Sequence, residues 1–174
     1  MPHNVEIKAR CKKPERIHAT LRQLGADYRG CDHQIDTFFQ IPPERGRLKL
    51  RQGQIENALI YYQRPDTAGP KTSRVILQAL PPDNQLAELL DHALGTRIVV
   101  DKMRHIYFID NVKFHVDEVR GLGTFVEIEA QDSTGKWGLE HLDAQCRHFM
   151  RVLGIEAADL LTEAYADMLE KSQP

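Results

Sequence analysis

The sequence predicts an α+β protein: one eight-stranded antiparallel β-barrel with flanking helices, in a single domain spanning residues 1–174. Three observations predict it. Eight short runs alternate apolar and polar residues at a period of two, the mark of half-buried strands. Turn-rich segments such as IPPERG and RPDTAGPK join several of them, as an antiparallel meander requires. The runs fall into two groups, each associated with amphipathic helical segments, and eight strands can close on themselves so that no edge is left unpaired.

In chain order, the first strand is predicted at about Asn4 to Arg10, where Val5, Ile7 and Ala9 alternate with Glu6, Lys8 and Arg10. KKPERIHATLRQLGA then reads as a helix: Ile17, Leu21 and Leu24 recur at helical spacing, Pro14 suits a first turn and Gly25 a stop. IDTFFQ, GRLKLR, NALIYYQR and SRVILQAL complete the first group of strands, with Pro81-Pro82 as a connection. DNQLAELLDHALG predicts a second helix, capped by Asp83 or Asn84 and ended by Gly95, with Leu86, Leu89, Leu90, Ala93 and Leu94 as its apolar stripe. RIVVDKMRHIYFI, VKFHVDEV and TFVEIEA are the remaining strands, and LEHLDAQCRHFMRVLG and LLTEAYADMLE the remaining helices.

Composition narrows the class. The chain is 41% hydrophobic and 28% charged, with no apolar run long enough to span a bilayer, and the opening MPHNVEIK has no apolar leader. A cytoplasmic location is therefore expected, without membrane association. A net charge of −2 gives no global attraction to nucleic acid, so any anion site must come from local concentration of basic residues. Cys11, Cys31 and Cys146 show neither CxxC spacing nor an even count and are read as free thiols; the eight histidines are scattered without HExxH spacing.

The polar faces of the strands carry the chemistry. Period-two alternation places Asn4, Glu6, Lys8 and Arg10 on one face, as it does Arg47, Lys49 and Arg51, then Ile60, Tyr62 and Arg64. It also groups Lys102 with Arg104, Lys113 with His115 and Asp117, and Glu127 with Glu129. If these faces converge inside a barrel, nine basic groups meet the four carboxylates Glu6, Asp117, Glu127 and Glu129, an excess of five positive charges. Burying that excess without compensation is prohibitive, so the interior must be wet and must accept a highly charged anion such as a triphosphate. The carboxylates then suit Mg²⁺ or Mn²⁺, hard ions held by a few carboxylates together with substrate phosphates. Any one of these strands is explained as well by a solvated outer face; six with the same mixture of charges are not.

In its NVEIK strand, its basic GRLKLR strand and above all the run VDKMRHIYF followed by VKFHVDEVRGLGTFVEIEA, the chain resembles the CYTH superfamily, nearest its class IV adenylyl cyclase branch and related to thiamine triphosphatases. The resemblance covers almost the whole chain and implies a triphosphate-tunnel barrel. It implies metal binding by Glu6, Glu127 and Glu129 with Asp117 near them, and phosphate binding by Lys8, Arg47, Lys49, Arg51, Arg64, Lys102 and Arg104. Arg10 and Lys113 join the phosphate set from strand periodicity, and Lys8, Glu127 and Glu129 are the candidate catalytic groups. The chain departs from the family's ExExK pattern at its first acidic position, which is Asn4, a residue without negative charge for a metal.

GPKTS lacks the Walker pattern, and it and GLG read as turns; His115 reads as a general base or a hydrogen-bonded structural histidine, Tyr62 as a stacking or filling ring, and Tyr165 as covering a tunnel mouth or packing. The expected function is metal-dependent phosphoryl transfer on a small-molecule triphosphate, with hydrolysis favoured over cyclisation of ATP because no base-reading group is evident. A non-catalytic polyphosphate binder is the third reading. Nucleic acid is not an expected partner, and a homodimer is left open.

Overall fold

The structure, a computed structural model, describes residues 3–65 and 67–173. Eight strands form it: β1 (His3–Arg10), β2 (Asp27–Phe39), β3 (Arg47–Gln52), β4 (Ala58–Gln63), β5 (Lys71–Ala79), β6 (Thr96–Ile109), β7 (Val112–Val119) and β8 (Gly123–Asp132). They pair antiparallel in the order β1-β5-β4-β3-β2-β6-β7-β8, and β8 returns to β1, so the sheet closes into a barrel without an unpaired edge.

The expected strands are all present, but β2 begins at Asp27, eight residues before IDTFFQ. Its first half, DYRGCDHQ, is polar on both faces and carries a glycine, which conceals it from an apolar-alternation test; a register shift between Tyr28 and Gly30 lets it remain paired to β6.

The barrel is inside out relative to a small soluble one. Val5, Ile7 and Ala9 of β1, Phe114 and Val116 of β7, and Val126, Ile128 and Ala130 of β8 point outward into the main apolar core. Helices α1 (Pro14–Gln23) and α3 (Leu139–Val152) complete that core with Ile17, Leu21, Leu142 and Cys146. Covering this side of the sheet with helices releases the inner face for polar residues, because the apolar set of each strand is already buried. A second cluster, with Phe38, Ile60, Val100 and Phe125, is joined by Tyr165 and Ala166 of α4 (Tyr165–Ser172).

Two helical expectations need correction. LLTEAYADMLE is helical only from Tyr165; before it, the chain is extended, with Leu160 bridged to Ala9 and the Leu161 amide donating to the Lys8 carbonyl. Helix α2 (Leu86–Leu94) follows Asn84, whose Oδ1 accepts the Leu86 amide at 3.1 Å, but its apolar stripe is not buried: Leu89 is 55% exposed. All three cysteines are free, with Cys11 and Cys146 buried and Cys31 exposed. Among the described residues no helix is long and apolar enough to cross a membrane.

Phe114, fully buried between the sheet and α3 and edge-on to Phe149 at 4.9 Å, anchors the outer core. Phe114→Ala is expected to cost about 3–5 kcal/mol, read as a lowered urea midpoint with an unchanged denaturant slope.

Candidate active site

Inward positions of the strands line one cavity of about 510 Å³. Register decides which charges meet there. Glu6 lies opposite Glu129 and Lys8 opposite Glu127 across β1 and β8; Lys113 lies opposite Glu129 and His115 opposite Glu127 across β7 and β8. Two residues along a strand advance about 7 Å, so each carboxylate has a basic or imidazole neighbour on an adjoining strand.

Seven of the nine expected basic groups line the cavity: Lys8, Lys49, Arg51, Arg64, Lys102, Arg104 and Lys113. Arg10 does not. It is exposed at the end of β1, its guanidinium 5.5 Å from the Phe125 ring. Arg47 borders a second cavity of about 570 Å³, which shares Tyr62, Arg64 and Ala164 with the first, and is paired to Asp167 at 2.9 Å. Asp117, expected beside a metal, lies in the wall: Arg104 donates to it from Nε at 2.8 Å and Nη2 at 2.6 Å, and the Tyr165 hydroxyl donates at 2.8 Å. With these bonds it positions Arg104 and Tyr165 and has no face turned to the cavity.

Two carboxylates absent from the sequence expectation take its place. Asp36 is fully buried and accepts a two-pronged bond from Arg51, at 2.9 and 2.8 Å, together with Lys102 at 2.7 Å; Lys49 stands 3.4 Å away. Burial would raise its carboxyl, but Arg51, Lys102 and Lys49 hold it well below the usual range. Glu56 accepts from Lys113, Gln34 and Arg51, and the cations Lys113 and Arg51 likewise outweigh its burial. Its loop is fixed by the buried Asp32, whose carboxylate accepts the amides of Gln54, Ile55 and Glu56, while Gly53 packs so closely on Asp32 that a Cβ there would lie 2.5 Å from its Oδ2. The signal for Asp32, Gln34 and Asp36 was present as spacing of two in DHQID; Glu56 sits in a turn and had none. Among the described lining residues the balance is thus seven cations to five carboxylates, an excess of two rather than five.

Glu127 and Glu129 differ despite sharing a face. Glu127 is engaged by Lys8 at 3.4 Å, Arg104 at 3.1 Å and His115 Nδ1 at 3.0 Å; against its burial, Arg104 and Lys8 hold its carboxyl well below the usual range. Because Glu127 is ionised, His115 must donate from Nδ1, which leaves Nε2 as an acceptor; that buried atom has no partner among the described residues. Burial, then Arg104, lower His115 to about 4, so the ring is neutral at ordinary pH. Glu129 is raised, by burial and by the facing charge of Glu6, and accepts from Asn4 at 2.7 Å and Gln131 at 3.0 Å. Asn4, where the related pattern has an acid, therefore acts as a donor to the carboxylate pair. Glu6 itself is paired with Arg64.

Tyr165 closes part of the wall, its ring 4.0 Å beneath the Lys8 ammonium, and Tyr62 lines the cavity 5.4 Å from Lys49. Burial lowers Lys8 to about 8, with Arg64 and Lys49 adding repulsion against the pull of Glu127 and Glu6; burial also lowers Lys49 and Lys102. The cavity is thus a set of cations whose charge is only partly compensated.

The closed barrel thus encloses a cavity of mixed charge with an excess of cations. The chain belongs to the CYTH domain family, which it matches over residues 2–165. It is 22% identical over 173 residues to a Methanocaldococcus jannaschii protein whose provisional name is adenylate cyclase, covering 94% of this chain and 97% of that one. A Pyrococcus horikoshii structure superposes with a TM-score of 0.80 at 24% identity, covering 94% of this chain and 98% of that one. A Hippeastrum protein, described as an adenylyl cyclase candidate with a dominant triphosphatase activity, has the same fold at a TM-score of 0.63 and 13% identity, covering 100% of this chain and 97% of that one.

Asp36→Asn is expected to destabilise the protein by about 3–5 kcal/mol, because Arg51, Lys102 and Lys49 would lose their shared counter-ion; urea denaturation measures it. For Lys8, NMR of the side-chain Cε should give a midpoint near 8 in the free protein, moving upward when tripolyphosphate fills the cavity. The sign follows from linkage: between about 8 and 10.5 the unfolded chain holds a proton that the folded lysine has lost, so Lys8 makes stability rise with pH across that window. A midpoint at the ordinary lysine value contradicts the assignment.

Proposed function

We propose that the protein is a divalent-metal-dependent phosphoryl-transfer enzyme, and specifically a triphosphatase, acting on a triphosphate-containing small molecule inside the barrel. The observation that carries this reading is the convergence of Lys8, Lys49, Arg51, Arg64, Lys102, Arg104 and Lys113 on one cavity that also contains the facing pair Glu6 and Glu129. A sensor of polyphosphate would use the basic set and gain nothing from two carboxylates that repel each other and an anionic ligand.

That pair is also the test of fit for Mg²⁺ or Mn²⁺. Among the described residues no group of three or more His, Cys, Asp or Glu is arranged to hold a metal by itself. Two facing carboxylates fit an ion that takes one or two protein carboxylates and completes its shell with phosphate and water, and the raised Glu129 reports the repulsion such an ion would relieve. Glu6 and Glu129 would hold it; Glu127, engaged by Lys8, Arg104 and His115, is the adjoining carboxylate. When bound, the ion draws charge from the phosphoryl group under attack.

The chain's own residues then do the rest. The arginines clamp phosphate oxygens in fixed directions and the lysines supply point charge, so that binding itself aligns the chain for in-line attack. His115 Nε2, neutral and without a partner among the described residues, accepts a hydrogen bond from the attacking water, with Glu127 fixing the ring from Nδ1. Lys8, between Glu127 and the Tyr165 ring, holds the nucleophile or an adjoining phosphate oxygen. Hydrolysis is favoured over formation of cyclic AMP because cyclisation must fix an adenosine so that its 3′-hydroxyl meets the α-phosphate, and among the described lining residues Asn57, Glu56 and Gln131 are engaged with neighbours of their own.

The test is incubation with tripolyphosphate, thiamine triphosphate and ATP, each with Mg²⁺ or Mn²⁺. Orthophosphate is the expected product, and pyrophosphate with cyclic AMP from ATP would replace hydrolysis by cyclisation. The double variant Glu6→Gln with Glu129→Gln should lose at least a hundredfold in turnover while still binding tripolyphosphate; full activity in it refutes the metal assignment.

A further inference from the structure

The cavity is two-sided in chemistry. Its charged side chains come mainly from β1, β3, β6, β7 and β8, whereas β4 and β5, besides Tyr62 and Ser73, turn Ala58, Ile60, Val75, Leu77 and Ala79 toward it. The strip continues into Ile55 of the β3–β4 turn and into Leu80 and Pro82 beyond β5, all lining the same cavity. Leu77 is 58% exposed and Ile55 46% exposed, so these large aliphatic side chains border the cavity without being covered by the protein.

An inorganic polyphosphate has no use for this strip, since every oxygen it presents is better served by cation or water. Of the polar groups beside it, Asn57 and Glu56 are already committed. Asn57 exchanges both of its amide bonds with the Gly53 backbone, and Glu56 is held by Lys113, Gln34 and Arg51. None of these strip residues is aromatic, and among the rings that line the cavity Phe38 and Tyr62 face the Lys49 ammonium at 5.5 and 5.4 Å; recognition of a nucleobase calls for a stacking ring or fixed donors and acceptors at its edge.

Resting on the triphosphatase reading of the same site, we infer that the substrate is a triphosphate monoester whose organic group is a hydrocarbon, lying along Leu77, Ile55 and Leu80 while the phosphates occupy the basic side. The aliphatic strip sets specificity by burial and the cations set affinity for the phosphate chain. Because hydrocarbon contact is non-directional, the site distinguishes size and apolarity of that group and not the pattern of its hydrogen-bonding atoms.

Calorimetric titration of the full chain with methyl triphosphate and with n-octyl triphosphate, in metal-free buffer, compares ligands of equal charge. Each methylene that is buried contributes roughly fourfold in affinity, so octyl triphosphate is expected to bind at least tenfold more tightly than the methyl ester. Leu77→Ser with Ile55→Ser, both at exposed positions, should erase that gain and leave methyl triphosphate affinity unchanged. Equal affinity for the two esters in the natural sequence overturns the inference and leaves the triphosphatase reading standing. More than tenfold discrimination among ATP, GTP and UTP overturns it in favour of a base-reading site. Absence of binding by any of these compounds, tripolyphosphate included, removes both readings together.

Discussion

Asp36 is the residue on which the interior depends. A barrel with arginines and lysines on its inner wall must fold before any anion arrives, and like charges brought within a few ångströms in a poorly solvated space repel strongly. Asp36 answers this at one point by holding Arg51, Lys102 and Lys49 around one buried carboxylate. Asp117 does the same for Arg104, and Glu56 for Lys113. What remains among the described lining residues is a small positive excess, low enough for the protein to stay folded. Compensation also fixes direction: a guanidinium held by two bonds to Asp36 presents its remaining donors without searching rotamers.

The same wall separates structure from chemistry by parity. In β1 the outward residues Val5, Ile7 and Ala9 serve the core under α1 and α3, and the inward Glu6 and Lys8 serve the cavity. Neighbouring strands repeat the division in register, which is how Glu6 and Glu129, far apart in sequence, become facing carboxylates. Within the cavity a second division separates charged from aliphatic lining, so that one barrel offers both ionic and hydrocarbon contact.

Parity was also what made the site legible. Charged residues at alternate positions in NVEIKAR, GRLKLR and TFVEIEA pointed to Lys8, Lys49, Arg51, Glu127 and Glu129 before any fold was known, and all of them line the cavity. Alternation cannot say where a strand passes the end of the cavity, and so Arg10 and Arg47 were counted inside. Nor can it distinguish a carboxylate facing the cavity from one already spent on a neighbour, which is the case of Asp117. Asp36 was missed although IDTFFQ contains it, because its inward companions Asp32 and Gln34 fall in the polar first half of β2, outside the predicted strand, and left it a lone acid; Glu56 was missed because its position is set by the amides that bind Asp32 and not by any period. The rest of the apolar strip went unread for a simpler reason: Ala58, Val75 and Leu77 look like ordinary core residues until closure of the sheet turns them, with Ile60, toward a cavity.

The pairing of β1 with β8 joins the first strand of the chain to the last. Contacts at such sequence separation carry a large loop-closure cost and form late. The basic residues of β3 and β6 are therefore synthesised, and can meet Asp36 of β2, well before Glu127 and Glu129 reach Lys8 and Glu6. A nascent chain would pass through an interval with its charge-compensated half assembled and its carboxylate pair missing. Closure of the barrel is thus the step that brings Glu6 and Glu129 face to face, and the carboxylate pair is itself a report on completed folding.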